Sequence, residues 1–130
     1  MYNKTMVQVS DEQFGKFIEE GIAAIPPLYQ QYLKNVAFIV EDLPTPQQRQ
    51  KLNLYPNEVL FGLYEGVPLP RRNGTLKLLP DKITIFKQSM EQYCKTEEEV
   101  REQVRHTIWH EVAHYYGLDH KRIHELDGTS

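Results

Sequence analysis

Cysteine is almost missing from this chain. A single thiol, Cys94, in 130 residues rules out an intrachain disulfide framework and any zinc knot built from several thiolates, and it points to a reducing compartment. Long apolar runs are missing too. No stretch approaches the roughly 18 consecutive apolar residues of a membrane span, and the segment Met1–Met6 lacks the basic start and apolar run of a secretory signal. A cytoplasmic protein that does not engage a membrane is expected. Nor is there an excess of positive charge: 15 Lys and Arg against 18 Asp and Glu leave −3, so no global basic field draws the chain to nucleic acid. Histidine is absent from the first 105 residues, and all five lie between His106 and His124. With 40% hydrophobic and 25% charged residues, the rest is ordinary for one domain, 1–130, whose core holds without disulfides.

Ser10-Asp11-Glu12-Gln13 reads as a helix start, and Phe14, Phe17, Ile18, Ile22 and Ile25 follow at helical spacing, so a helix is expected from about Asp11 to Ala24. Pro26-Pro27 ends it, with Pro27 opening a short second turn. Val36–Val40 suits a buried strand, and Pro46–Leu54 a short helix. Val59–Tyr64 reads as a second strand. Lys82–Lys87 alternates polar and apolar residues as a half-exposed third, whose Ile83–Phe86 portion is expected to offer an edge to an extended peptide. Between these two, Gly66–Asp81 carries Pro68, Pro70, Gly74 and Pro80, a long loop of the kind that forms lids or binding rims.

The last long element is the clearest. Thr96-Glu97-Glu98-Glu99 is a capping box with its carboxylates at the positive end of the helix dipole. Val100, Val104, Ile108 and Val112 then recur every four residues, widened by Trp109 and Ala113, so one face is core. Gly117 fits the left-handed position that stops a helix. The architecture implied is α+β: a small mixed sheet of three or four strands, with the Thr96–Tyr116 helix on one face and the N-terminal helix alongside.

On that helix sits His110-Glu111-Val112-Ala113-His114, an H-E-x-x-H pattern. Residues four apart share a face, so both imidazoles reach one ion at about 2.0–2.1 Å. Glu111 is about 100° around the helix, which places it to take a proton from water rather than to join the ligands. After Gly117 the chain can reverse and return His120 as a third ligand, with His124 or Asp119 as substitutes. Three histidines and a vacant fourth position define a catalytic zinc site, whereas structural zinc is closed by four protein ligands. With five His and 13 Glu in the chain, the five-residue pattern arises by chance only about 0.02 times per sequence of this length. His106 shares the face of His110 but lies too far from His114, about 12 Å of rise, to bind the same ion.

The segment His110–His120 resembles the zincin metallopeptidases, and its H-E-x-x-H-x-x-G-x-x-H form is similar to that of metzincins. Metzincins carry a methionine turn after the third ligand, however, and here Met1, Met6 and Met90 all lie upstream. The chain more closely resembles the small bacterial family of predicted zinc metallopeptidases with a minimal zincin fold, through Val59–Gly66 (VLFGLYEG), Leu79–Phe86 (LPDKITIF) and Val100–Leu126. Many of its members place an acidic residue near the position of His120. That resemblance implies a hydrolase with one Zn²⁺ ion acting on a peptide or protein substrate, with His110, His114 and His120 as ligands and Glu111 as catalytic base. The zincin-like endoribonucleases of ribosomal RNA maturation are a rival resemblance: their three histidines share this spacing, and Gly117-Leu118-Asp119-His120 matches their ending. They carry glycine where this chain has Glu111, and the basic cleft they need has only Arg71, Arg72 and Lys77 to build it.

Only ten residues follow His120, so a shallow cleft is expected, without the second lobe of larger zincins. A partner protein completing that cleft, and a non-catalytic metal-dependent binding module, are the further readings that this shallowness keeps open.

Overall fold

The computed structural model describes residues 7–31, 33–68, 81–118 and 121. In chain order the elements are α1 (Asp11–Ala23), α2 (Pro27–Gln30), β1 (Val36–Glu41), α3 (Pro46–Lys51), β2 (Gly62–Glu65), β3 (Asp81–Phe86), α4 (Lys87–Tyr93) and α5 (Glu97–Tyr115), with a 3-10 turn at Leu33–Asn35 before β1. Most of the 66–81 loop, with Arg71, Arg72 and Lys77, lies outside the described residues, as do Asp119, His120 and His124.

Short polar side chains start the helices where the sequence places them. The Ser10 hydroxyl accepts the Gln13 amide at 3.0 Å to open α1, and the Thr96 hydroxyl accepts the Glu99 amide at 3.1 Å to open α5. The return half of the second box is displaced: the Glu99 carboxylate accepts from Lys95 N–H at 2.7 Å, one residue before the cap. In α3 both halves of the Thr45–Gln48 box are present. This helix stops short of Leu54 because Asn53 adopts a left-handed φ of 55°. Helix α4 is not anticipated by the sequence, since it grows directly out of β3 with no capping side chain before it. It holds the N-terminal segment, for Glu91 accepts the Val9 amide at 2.8 Å and Lys87 pairs with Asp11 at 2.9 Å.

The sheet order is β1-β3-β2, with β1 parallel and β2 antiparallel to β3. This corrects the expectation that Ile83–Phe86 offers a free edge. β3 is paired on both sides, and Ile83, Thr84, Ile85 and Phe86 are all buried. The alternation was misleading because Thr84, polar by type, is as buried as its neighbours. Among the described residues, β1 and β2 are the outer strands of the sheet.

Helix α5 contacts the sheet through β2 and β3 and packs against α1. Its Val100, Val104, Ile108 and Val112 are fully buried, in one cluster with Phe14, Phe17 and Ile18 of α1 and Ile83 and Ile85 of β3. The two helices approach closely at Gly21, where a Cβ would lie 2.8 Å from Ile108 Cδ1. Among the described residues no helix is long and apolar enough to cross a membrane.

Ile108→Ala removes buried methylenes at the meeting point of α1 and α5, and is expected to cost about 2–5 kcal/mol in urea unfolding. Leu28→Ala, at a residue 66% exposed, should change stability by less than about 0.5 kcal/mol. Equal effects of the two would contradict this assignment of the core.

Candidate metal centre

The burial of Val112 and Ala113 fixes how α5 is rotated about its axis in its last turns. It leaves His110 and His114 half-buried on a flank rather than in the core. Their rings lie one above the other, with centroids 4.6 Å apart, as the four-residue spacing requires. Glu111 is buried. Its Oε1 accepts the backbone N–H of Tyr64 in β2 at 2.9 Å and lies 3.3 Å from His114 Nδ1, while Oε2 lies 3.5 Å from His110 Nδ1. The carboxylate thus comes back to both rings although its Cα is a quarter turn away. The flexible glutamate stem and the anchoring amide of β2 account for that reach. One ligand atom from each of His110, Glu111 and His114 falls within 4.8 Å of the others.

The charges in this cluster support one another. Burial alone would raise the Glu111 pKa, but hydrogen bonding to His110 and His114, with their positive charge, outweighs it and holds the carboxyl at about 2. The hydrogen bond to Glu111 raises the His114 pKa, burial opposes it, and the negative charge of Glu111 adds to the rise. In the metal-free protein Glu111 is therefore held ionised, and it is the counter-ion of His114 when that ring is protonated.

Beyond His114 the helix ends as the sequence suggests. Gly117 takes a left-handed φ of 73°, its N–H donates to the His114 carbonyl at 3.0 Å, and Leu118 N–H donates to the Ala113 carbonyl at 3.0 Å. These two bonds form a Schellman turn. The residues proposed as third ligand, His120 with His124 or Asp119 as substitutes, lie outside the described residues. Tyr115 and Tyr116, which stand beside the motif, are engaged in packing. Tyr115 is buried against the Tyr64 ring, and the Tyr116 hydroxyl donates to the Tyr29 carbonyl at 2.7 Å. His106 sits one turn upstream, its ring centroid 6.4 Å from that of His110. Cys94 is buried away from the cluster, with its thiol pKa raised by burial and by Glu99. Sequence reasoning missed Tyr64, because a backbone amide has no side-chain signature.

Residues 33–129 match the family model described as zincin-like metallopeptidase. The chain belongs to that family. A solved structure, a conserved hypothetical protein from Thermo thermophilus, superposes on this zincin-like chain with a TM-score of 0.57 at 20% identity, covering 92% of this chain and 98% of its own. At that identity the likeness concerns the fold. No curated protein matches the sequence. The family implies a metal, and the residues present fit one: the imidazoles of His110 and His114 converge on one flank of α5 as nitrogen donors of the kind zinc takes, with the Glu111 carboxylate beside them.

The sign of the pH dependence follows from these shifts. The depressed Glu111 pKa contributes stability above the unfolded value and loses it as pH falls towards about 2. The raised His114 pKa contributes below the unfolded value and loses it as pH rises through the folded one. In EDTA, the melting-temperature gap between wild type and Glu111→Gln should be wider at about pH 5.5 than at about pH 8. A gap independent of pH would show that the carboxylate and the imidazoles are not coupled.

Proposed function

We propose that the protein is a zinc-dependent peptidase in which His110, His114 and His120 hold the ion and Glu111 is the general base. The observation that carries this reading is the Glu111 carboxylate, buried, held ionised and fixed between two imidazoles by a backbone amide. A buried carboxylate is costly unless hydrogen-bonded and paired. Here the same contacts that offset its burial also aim it at the flank where the imidazoles converge. Zinc bound there supplies a Lewis acid for the scissile carbonyl and lowers the pKa of water. Glu111 takes the proton of the attacking water and returns it to the leaving amine. His120 is assigned as third ligand because the left-handed Gly117 turns the chain at the point where it must come back.

Zinc content and turnover on a peptide library test this reading. His110→Ala, His114→Ala and His120→Ala should each lose stoichiometric zinc, and His124→Ala should keep it. Glu111→Gln should keep zinc while kcat falls at least about 100-fold. Turnover undiminished in Glu111→Gln, or RNA cut in place of peptide, would overturn the peptidase assignment. Peptide bound through zinc but never cleaved would make the protein a binding module.

A further inference from the structure

The register of the sheet determines which amides of β2 face outward. Phe86 N–H donates to the Phe61 carbonyl at 2.9 Å, and β2 runs antiparallel with Gly62 opposite Ile85 and Tyr64 opposite Ile83. Ladder bonds in an antiparallel pair recur every second residue. They therefore fall at Phe61, Leu63 and Glu65, and the backbone N–H groups of Gly62 and Tyr64 point away from β3. The Tyr64 N–H is the one that meets Glu111.

For a side chain of α5 to bond the backbone of β2, strand and helix must lie almost in backbone contact. Gly62 is where this happens. A Cβ built at residue 62 would stand 2.5 Å from Thr107 Cγ2, 3.3 Å from Glu111 Cγ and 3.3 Å from the Thr84 carbonyl oxygen. The glycine is not there for its backbone angles, since Gly66 and Gly117 are the described glycines with positive φ. Space explains it. Glycine weakens a strand interior, and within a strand it often marks a close approach by another group. Thr107 cannot easily give way: it is β-branched and buried, and its hydroxyl accepts from Gln103 Nε2 at 3.0 Å.

We propose that Gly62 is a positioning residue for Glu111: its missing side chain lets β2 settle on α5, so that the Tyr64 amide grips one carboxylate oxygen and sets the direction of the other. This rests on Glu111 being the base. A charge-assisted bond to an immobile amide removes the torsional freedom that a glutamate otherwise has, and leaves Oε2 on the His110 side as the proton acceptor. Any side chain at residue 62 lifts the strand, breaks the grip and lets the carboxylate wander, without touching His110 or His114.

Two readouts on the full-length chain separate this inference from the peptidase reading. The first is exchange of the Tyr64 amide by NMR in the metal-free protein. Wild type should protect this amide although it lies outside the ladder with β3. Glu111→Ala and Gly62→Ala should each speed its exchange by about tenfold or more, and the Leu63 amide in Glu111→Ala should stay protected. Thr107→Ser keeps the hydroxyl and removes the clashing methyl, so Gly62→Ala/Thr107→Ser should recover protection. This rescue also distinguishes positioning from a general folding defect. The second readout is turnover of the zinc-loaded protein, where Gly62→Ala should lower kcat about tenfold or more with KM and zinc content near wild type, and the double variant should regain most of it. Exchange of Tyr64 unchanged in Gly62→Ala, or no recovery in the double variant, overturns the inference. So does a released amide with wild-type kcat. Wild type that cleaves no peptide overturns the peptidase reading instead, and the exchange data then still decide whether Gly62 and Tyr64 hold Glu111.

Discussion

The burial of one aliphatic stripe along α5 is the constraint on which everything else depends. Val100, Val104, Ile108 and Val112 leave no surface exposed, and a helix with four such contacts cannot rotate about its axis without drawing them out of the core. A fully buried aliphatic side chain is worth about 1.5–3 kcal/mol relative to exposure, so even a modest roll is prohibitive. Once that face is locked, the directions of His110, Glu111 and His114 follow from helical geometry alone. The close approach of α1 at Gly21 and the contact with β2 at Gly62 clamp the same helix from two sides. The flank that carries the two histidines is held in place because the opposite flank is apolar.

Much of this was legible in the residues. The caps at Ser10 and Thr96, the four-residue aliphatic period and the stop at Gly117 place α1 and α5 almost to the residue, because each depends on neighbours within one or two turns. The two histidines and the glutamate are brought together for the same reason, being within a single stretch of helix. What escaped was long-range. That β3 is the central strand depends on which segments pair with it. Thr84 was read as half-exposed because burial of a hydroxyl is decided by what covers it. Helix α4 has no capping residue to announce it, and the amide that anchors Glu111 comes from a strand 47 residues away.

In the metal-free protein the glutamate and the imidazoles satisfy each other electrostatically, which keeps a buried carboxylate and two half-buried rings compatible with a stable fold. A cation arriving at this flank therefore competes with an existing internal partner and with protons on the histidines. The arrangement is preorganised in position and occupied in charge.

The parallel pairing of β1 with β3, which brackets β2 in the chain, has a kinetic consequence. Contacts between distant segments form only after a large loop has closed, so a sheet built in this way assembles late relative to a locally encoded helix. The histidine-bearing helix can thus form in a partly folded chain before β2 docks beside it. Such a chain would display both imidazoles with the Glu111 carboxylate unanchored, and the cluster would be complete only with the final docking of the sheet.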